Sequence, residues 1–276
     1  MTEEKKDGRE KQIGEEELIE LVLEAQKEAL EKEREQRPTG EEPDRKPRRF
    51  KILAWLMAIT LAFSTFGAIF EIYSIPAIEF LKTSAKLSSQ EEIRTYKKAV
   101  VQITTEDRKG TGFSVSEDGL IVTNEHVVDD ALSITVIFPE DGLYKGEIVA
   151  SYPEVDLALL KVDGNGLPFL TLDDSCQYPQ KDPVYFIGNP LSFTGIANEG
   201  KVLEPILLSD WEEPVYMMDA PVYRGNSGSP VINGEGKVIG IIFATYDHDR
   251  YGQVGLFIPV ESLQERLGRL GTFPER

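Results

Sequence analysis

Tyr223-Arg224-Gly225-Asn226-Ser227-Gly228-Ser229-Pro230 is the stretch on which the reading of this chain turns. It sets a serine between glycines, on what must be a sharp turn. Two fragments stand upstream in matching order, Thr123-Asn124-Glu125-His126-Val127-Val128 and Val155-Asp156-Leu157-Ala158-Leu159-Leu160. Taken singly, each is commonplace: a Gly-Asn-Ser-Gly turn, a histidine before two valines, an aspartate heading an apolar run. Together they supply a nucleophile, a base and an orienting carboxylate, the set that activates a serine hydroxyl. The candidate catalytic residues are therefore His126, Asp156 and Ser227. The chain has only two histidines, so few alternatives compete for the base.

Outward from these fragments, short β-branched runs alternate with turn signals from Lys97 onward. Strand candidates are Val100–Thr104, Phe113–Val115, Leu120–Thr123, Ser133–Phe138, Gly146–Ala150 and Leu157–Val162. After a polar link, Asp173–Lys181, come Val184–Ile187, Lys201–Leu203, Val215–Met218, Pro230–Ile232, Val238–Phe243 and Val254–Ile258. Asp118-Gly119 and Asn233-Gly234 read as hairpin turns. Many short strands at regular spacing predict an all-β sandwich or barrel, and the link divides it into halves of about 97–175 and 184–260. Glu261–Leu270 reads as a closing amphipathic helix.

The remainder of the chain is organised differently. The net charge of -18 excludes nucleic acid as a partner, because an acidic surface repels phosphates. One cysteine, Cys176, rules out an intrachain disulfide and reads as a small filler in the link. His248 lies in Asp247-His248-Asp249 without a second His or Cys nearby, so it reads as a solvated loop, and neither metal nor cofactor is expected. Ile52–Phe70 holds no charged residue and is about the length that crosses a bilayer as a helix. Arg45, Lys46, Arg48, Arg49 and Lys51 precede it, which keeps the amino end in the cytoplasm and translocates the chain beyond residue 72. A cleaved signal peptide and a buried core helix are the competing readings. The expected organisation is a charged, partly helical cytoplasmic tail at 1–49, a membrane anchor at 50–72, a stalk at 73–96 and a catalytic domain at 97–276. In the tail, Leu18, Val22, Ala25 and Ala29 recur at heptad-like spacing, compatible with a short coiled coil or a solvated helix. Pro38, Gly40, Pro43 and Pro47 end any such helix.

Gly110-Thr111-Gly112-Phe113, Gly119 through Val128, Asp156-Leu157-Ala158-Leu159, Ile187-Gly188-Asn189-Pro190 and Arg224 through Gly228, in that order, resemble the trypsin-like serine proteases of the bacterial HtrA/DegP type, over residues 98–262. The resemblance implies two antiparallel β-barrels with the active site between them. It implies an oxyanion hole from the backbone amides of Gly225, Asn226 and Ser227, polypeptide substrates, envelope protein quality control and, as is frequent among relatives, a homotrimer. Pro221 stands where trypsins carry an acid; with the strand residues Ile241, Ile242, Phe243 and Ala244 it is expected to form an apolar substrate site. Phe243 and its neighbours also offer backbone groups to an extended peptide. Ser229 and Glu125 depart from the usual pattern, and Glu125 puts a charge beside the base, expected to raise its pKa. No peptide-binding PDZ domain is expected after the barrels. The reading from another class is a protease-like domain that binds unfolded protein, or senses envelope stress, without cutting.

Overall fold

The structure is a computed structural model describing residues 15–35, 48–175, 177–178, 180, 183–190, 193–209 and 211–269, with the backbone alone at residues 15–19, 21, 33, 35, 48–50 and 66–77. Pro38, Gly40, Pro43, Pro47, Cys176 and Leu270 lie outside the described residues. The chain forms two compact units, Met1–Ala68 and Ile69–Arg276.

The described residues of the first unit are helical. α1 spans Glu15–Glu35 and α2 spans Arg48–Leu87, continuing into the second unit. In α1, Val22, Leu23 and Leu30 are exposed. Lys32 donates to Glu28 one turn away at 3.1 Å. In α2, Ile52, Leu53, Trp55, Leu56, Met57, Ile59, Leu61 and Phe63 are all exposed. Among the described residues no helix is long and apolar enough to cross a membrane. The side chains of 66–70, the last part of the expected anchor, lie outside the described residues.

The second unit begins with the end of α2, then α3 (Glu91–Ala99), followed by two closed six-stranded antiparallel barrels. The first barrel comprises β1 (Val100–Thr104), β2 (Lys109–Ser114), β3 (Leu120–Thr123), β4 (Ile134–Phe138), β5 (Gly142–Tyr152) and β6 (Leu157–Lys161), with α4 (Glu125–Val128) after β3. The second comprises β7 (Pro183–Gly188), β8 (Ile196–Ile206), β9 (Val215–Asp219), β10 (Pro230–Ile232), β11 (Val238–His248) and β12 (Gly252–Pro259), closed by α5 (Val260–Arg269). The orders around the barrels are β1-β2-β3-β6-β5-β4 and β10-β11-β12-β9-β8-β7.

Alternation explains how one apolar run serves two cores. Ala158 and Leu160 point into the first barrel, with Val101, Ile103 and Phe138. Leu157 and Leu159 point the other way, into a cluster shared with Ile187, Ile232, Val238, Ile241 and Ile258 of the second barrel. Strand side chains alternate faces, so a strand apolar at every position is buried on both. Each such leucine contributes about 1.5–3 kcal/mol.

The expected hairpins form, with a refinement in the second. Gly119 takes φ +87° between β2 and β3. Between β10 and β11 the left-handed position falls on Gly236 (φ +81°) rather than Gly234. The Asn233 side chain accepts the amides of Glu235 and Lys237, both at 3.0 Å, and so shapes a longer turn.

The end of α2 lies on β8. Phe80, Ser84 and Leu87 are buried. The Ser84 hydroxyl accepts the Ala197 amide at 3.1 Å, and Asn198 donates to the Phe80 carbonyl at 3.3 Å. Phe80 also meets the Tyr223 ring edge-on at 4.9 Å.

Candidate active site

α4 is one helical turn set at the end of β3, and it presents His126 with its side chain 47% exposed. Asn124, ahead of it, is buried and donates to the Asp156 carbonyl at 2.8 Å. Asp156 follows a short 3-10 turn, Pro153–Val155, and sits in the left-handed region (φ 49°, ψ 47°). Aspartate is among the few residues that tolerate that region. The bend turns its carboxylate onto α4. One oxygen accepts the His126 backbone amide at 3.0 Å, and the two oxygens lie 3.0 and 2.8 Å from Nδ1. With Nδ1–H donated to the carboxylate, Nε2 is the free basic nitrogen.

The serine is held by both barrels. The Asn226 amide donates to the Tyr223 carbonyl at 3.0 Å and the Ser229 amide to the Asn226 carbonyl at 2.9 Å, giving two consecutive tight turns. Gly225 and Gly228 take φ +100° and +85°. The Ser227 carbonyl accepts the Thr111 amide of β2 at 2.9 Å, and the Gly228 amide donates to Ile242 of β11 at 2.8 Å. A Cβ on Gly228 would stand 1.9 Å from the Thr111 carbonyl oxygen, so no side chain fits.

The amides of Gly225 and Ser227 have no protein acceptor among the described residues. They are available to a developing oxyanion. Asn226 corrects the expectation: its amide is already spent on Tyr223 in forming the turn. The Ser227 hydroxyl donates to the Phe243 carbonyl at 3.5 Å. No hydrogen bond joins it to His126. Both residues nevertheless line one cleft of about 540 Å³, with Gln102, Arg108, Lys109, Asn189, Arg224 and Gly225.

The expected substrate residues scatter. Ile241 and Ile242 are fully buried, one in the cluster between barrels and one in the second barrel's core. Neither can line a pocket, because a closed barrel buries both faces of that strand. Phe243 is partly buried against Trp211, with ring centres 4.8 Å apart. Phe243 is also the bulged residue of β11, out of register with β12, which leaves its carbonyl facing Ser227. Ala244 is partly buried and Pro221 is exposed. Neither lines the cleft that holds Ser227.

Thr111 escaped the sequence reading. Fully buried, its hydroxyl donates to the Gly225 carbonyl at 2.7 Å and accepts the Asn189 amide at 2.9 Å. Gly110-Thr111-Gly112 entered the sequence reading only within a motif of resemblance, with no role for the hydroxyl, and the partner is 114 positions away. Arg108 was likewise missed; it donates to the carbonyls of His126 at 2.6 Å and Asp129 at 3.2 Å, tying the β1–β2 turn to α4. Beside the base, burial first and then the charges of Asp129 and Asp156 push the Glu125 carboxyl above its ordinary value. Among the described residues no cluster of His, Cys, Asp or Glu could hold a metal ion.

The paired closed barrels define a trypsin-like fold. Residues 110–241 match the family model described as the trypsin-like peptidase domain. A probable periplasmic serine endoprotease, DegP-like, from Chlamydia muridarum is 36% identical over 162 residues, covering 57% of this chain and 32% of the relative. Its counterpart in Chlamydia pneumoniae is 33% identical over 189 residues, covering 67% and 37%. The chain thus spans about a third of the length of the curated relatives it matches. Among solved structures, an inactive form of the Rv3671c protease of M. tuberculosis superposes with a TM-score of 0.59 at 26% identity, covering 67% of this chain and 95% of that one. The serine endoprotease from Yersinia pestis gives a TM-score of 0.58 at 26% identity, covering 65% of each chain. These matches support a serine endopeptidase.

Proposed function

We propose that this chain is a membrane-anchored serine endopeptidase that cuts accessible, extended segments of extracytoplasmic proteins through an acyl-enzyme, in envelope protein quality control. The observation that carries the reading is the conjunction in one cleft of the Asp156-bound imidazole, the Ser227 hydroxyl and the two free amides of Gly225 and Ser227.

The chemistry rests on those groups. The Ser227 hydroxyl swings from the Phe243 carbonyl to Nε2 of His126 and attacks the substrate carbonyl carbon. Nε2 takes the hydroxyl proton, and Asp156 stabilises the imidazolium. The carbonyl oxygen, now an anion, receives the Gly225 and Ser227 amides, each such donor lowering the barrier by about 3–4 kcal/mol. His126 passes its proton to the leaving amine as the C–N bond breaks. A water, deprotonated by the same nitrogen, then hydrolyses the ester and returns the proton to Ser227. On the acyl side, the edge of β11 at the Phe243 bulge offers main-chain groups to an extended peptide, so a folded substrate is a poor one.

The anchor reading rests on the uncharged span 52–70 and on the exposed apolar side chains of α2 from Ile52 to Phe63, which a lipid environment would cover. The names of the relatives, periplasmic endoproteases, agree with an extracytoplasmic catalytic unit.

The bond from Ser227 to the Phe243 carbonyl rather than to His126 favours a second reading, a domain that binds unfolded chains without cutting them. One experiment separates the two. The full chain in detergent micelles is treated with a serine-directed fluorophosphonate and assayed on casein. Labelling and hydrolysis are expected, and Ser227→Ala is expected to lose both, with an unchanged circular dichroism spectrum and melting temperature. Tight casein binding without labelling would establish the silent binder instead.

A further inference from the structure

The cleft holding Ser227 has a direction. His126 must deliver its proton to the leaving amine, so the half of the substrate beyond the cut bond lies on the His126 side. That side is built from the first barrel, at β1, the β1–β2 turn and α4, together with Asn189 and Arg224, and no residue of β11 lines it. A peptide paired with the β11 edge before the cut bond therefore runs into this groove after it.

The charges in the groove are not equivalent. Arg108 spends its head group on the carbonyls of His126 and Asp129. Glu106 is engaged by the Ser133 hydroxyl at 2.7 Å, a bond that also holds its carboxyl below the ordinary value. Asp107 is an exposed acid on the turn. Lys109 and Arg224 have no acidic partner among the described residues. Arg224 directly precedes Gly225, whose carbonyl is fixed by Thr111, so its backbone is anchored at the lip of the nucleophile. Farther along, beyond Gln102, Lys98 is paired with Glu140 at 2.8 Å and Lys97 is spent on Ser88. On a molecule of net charge -18, two uncommitted cations thus line the cleft that holds His126 and Ser227.

We propose that Arg224, assisted by Lys109, selects substrates carrying an acidic side chain within the first few residues after the cut bond. The inference rests on the endopeptidase reading above. An exposed charge pair changes affinity by up to about fivefold, and reversing one charge adds a comparable repulsion.

The test is cleavage of a peptide library by the full chain in detergent, read by mass spectrometry. Matched quenched peptides with Asp or Lys at the enriched position are then compared. Aspartate or glutamate is expected to be enriched after the cut. The Asp-to-Lys ratio of kcat/KM, carried mainly in KM, is expected to fall about threefold in Arg224→Ala and about tenfold in Arg224→Glu. Lys109→Glu is expected to lower it less, and Arg224→Lys to keep it. Salt near 1 M, where the screening length is about 3 Å, is expected to flatten the preference. Fluorophosphonate labelling reports the nucleophile independently of these peptides. Normal labelling with no acidic preference, or a ratio unmoved in Arg224→Glu, overturns this inference alone. Absence of both labelling and hydrolysis overturns the endopeptidase reading and this one with it.

Discussion

The base and the nucleophile are prepared in opposite ways. His126 rides a single exposed turn, yet its imidazole is already fixed by the two oxygens of Asp156, and its backbone by one of them. Ser227 has a backbone tied between barrels, to β2 on one side and β11 on the other, yet its hydroxyl is turned to Phe243. The first barrel delivers a side chain in working orientation on a light support. The second delivers a heavily supported backbone with a side chain still to be turned. Orientation of the imidazole depends on a charged partner, whereas placement of the serine depends on space and main-chain bonds.

That contrast can be tested from each side. Asp156→Asn keeps the shape but not the charge or the tautomer. It should lower kcat about 10³- to 10⁴-fold while shifting the melting temperature only slightly. A loss under tenfold would show that Asn124 and the α4 turn orient the base without the carboxylate. Gly228→Ala attacks the other side through packing. A methyl 1.9 Å from the Thr111 oxygen, at φ +85°, should cost about 3–4 kcal/mol. The melting temperature should drop by about 6–12 °C, with activity lost alongside. A stable variant would mean that the turn can shift, contrary to its double anchorage.

The smallest effect concerns Glu125. Its carboxyl is raised by burial and by the charges of Asp129 and Asp156, so ionising it opposes folding. Its contribution is present below the ordinary carboxylate pKa and lost as pH rises through the raised value. Glu125→Gln should therefore melt slightly higher than the parent at pH 7, by no more than about 2 °C after solvent screening, and equally at pH 3. A lower melting temperature at pH 7 would reverse the sign.

Much of this was legible in the sequence, for reasons that differ by residue. The short strands Leu120–Thr123 and Pro230–Ile232 coincide with their predicted bounds, because apolar β-branched runs end at turn residues. β5, β8 and β11 run well beyond their predictions. Their extensions carry Lys145, Glu199 and Asp247, and composition reads such polar residues as loop although an exposed ladder accepts them. His126, Asp156 and Ser227 announced themselves through local motifs. Thr111 did not, because its role exists only when β2 meets Gly225. Ile241 and Ile242 misled for a related reason: which way a strand residue faces is set by barrel closure, and here both directions are interior.

The bonds on either side of Ser227 carry a mechanical consequence. One fastens it to a strand of the first barrel and the other to a strand of the second. Opening the halves like a clam to admit something bulky would therefore stretch a bond that seats the serine. On the endopeptidase reading, entry then falls to the visitor, which unravels and threads in.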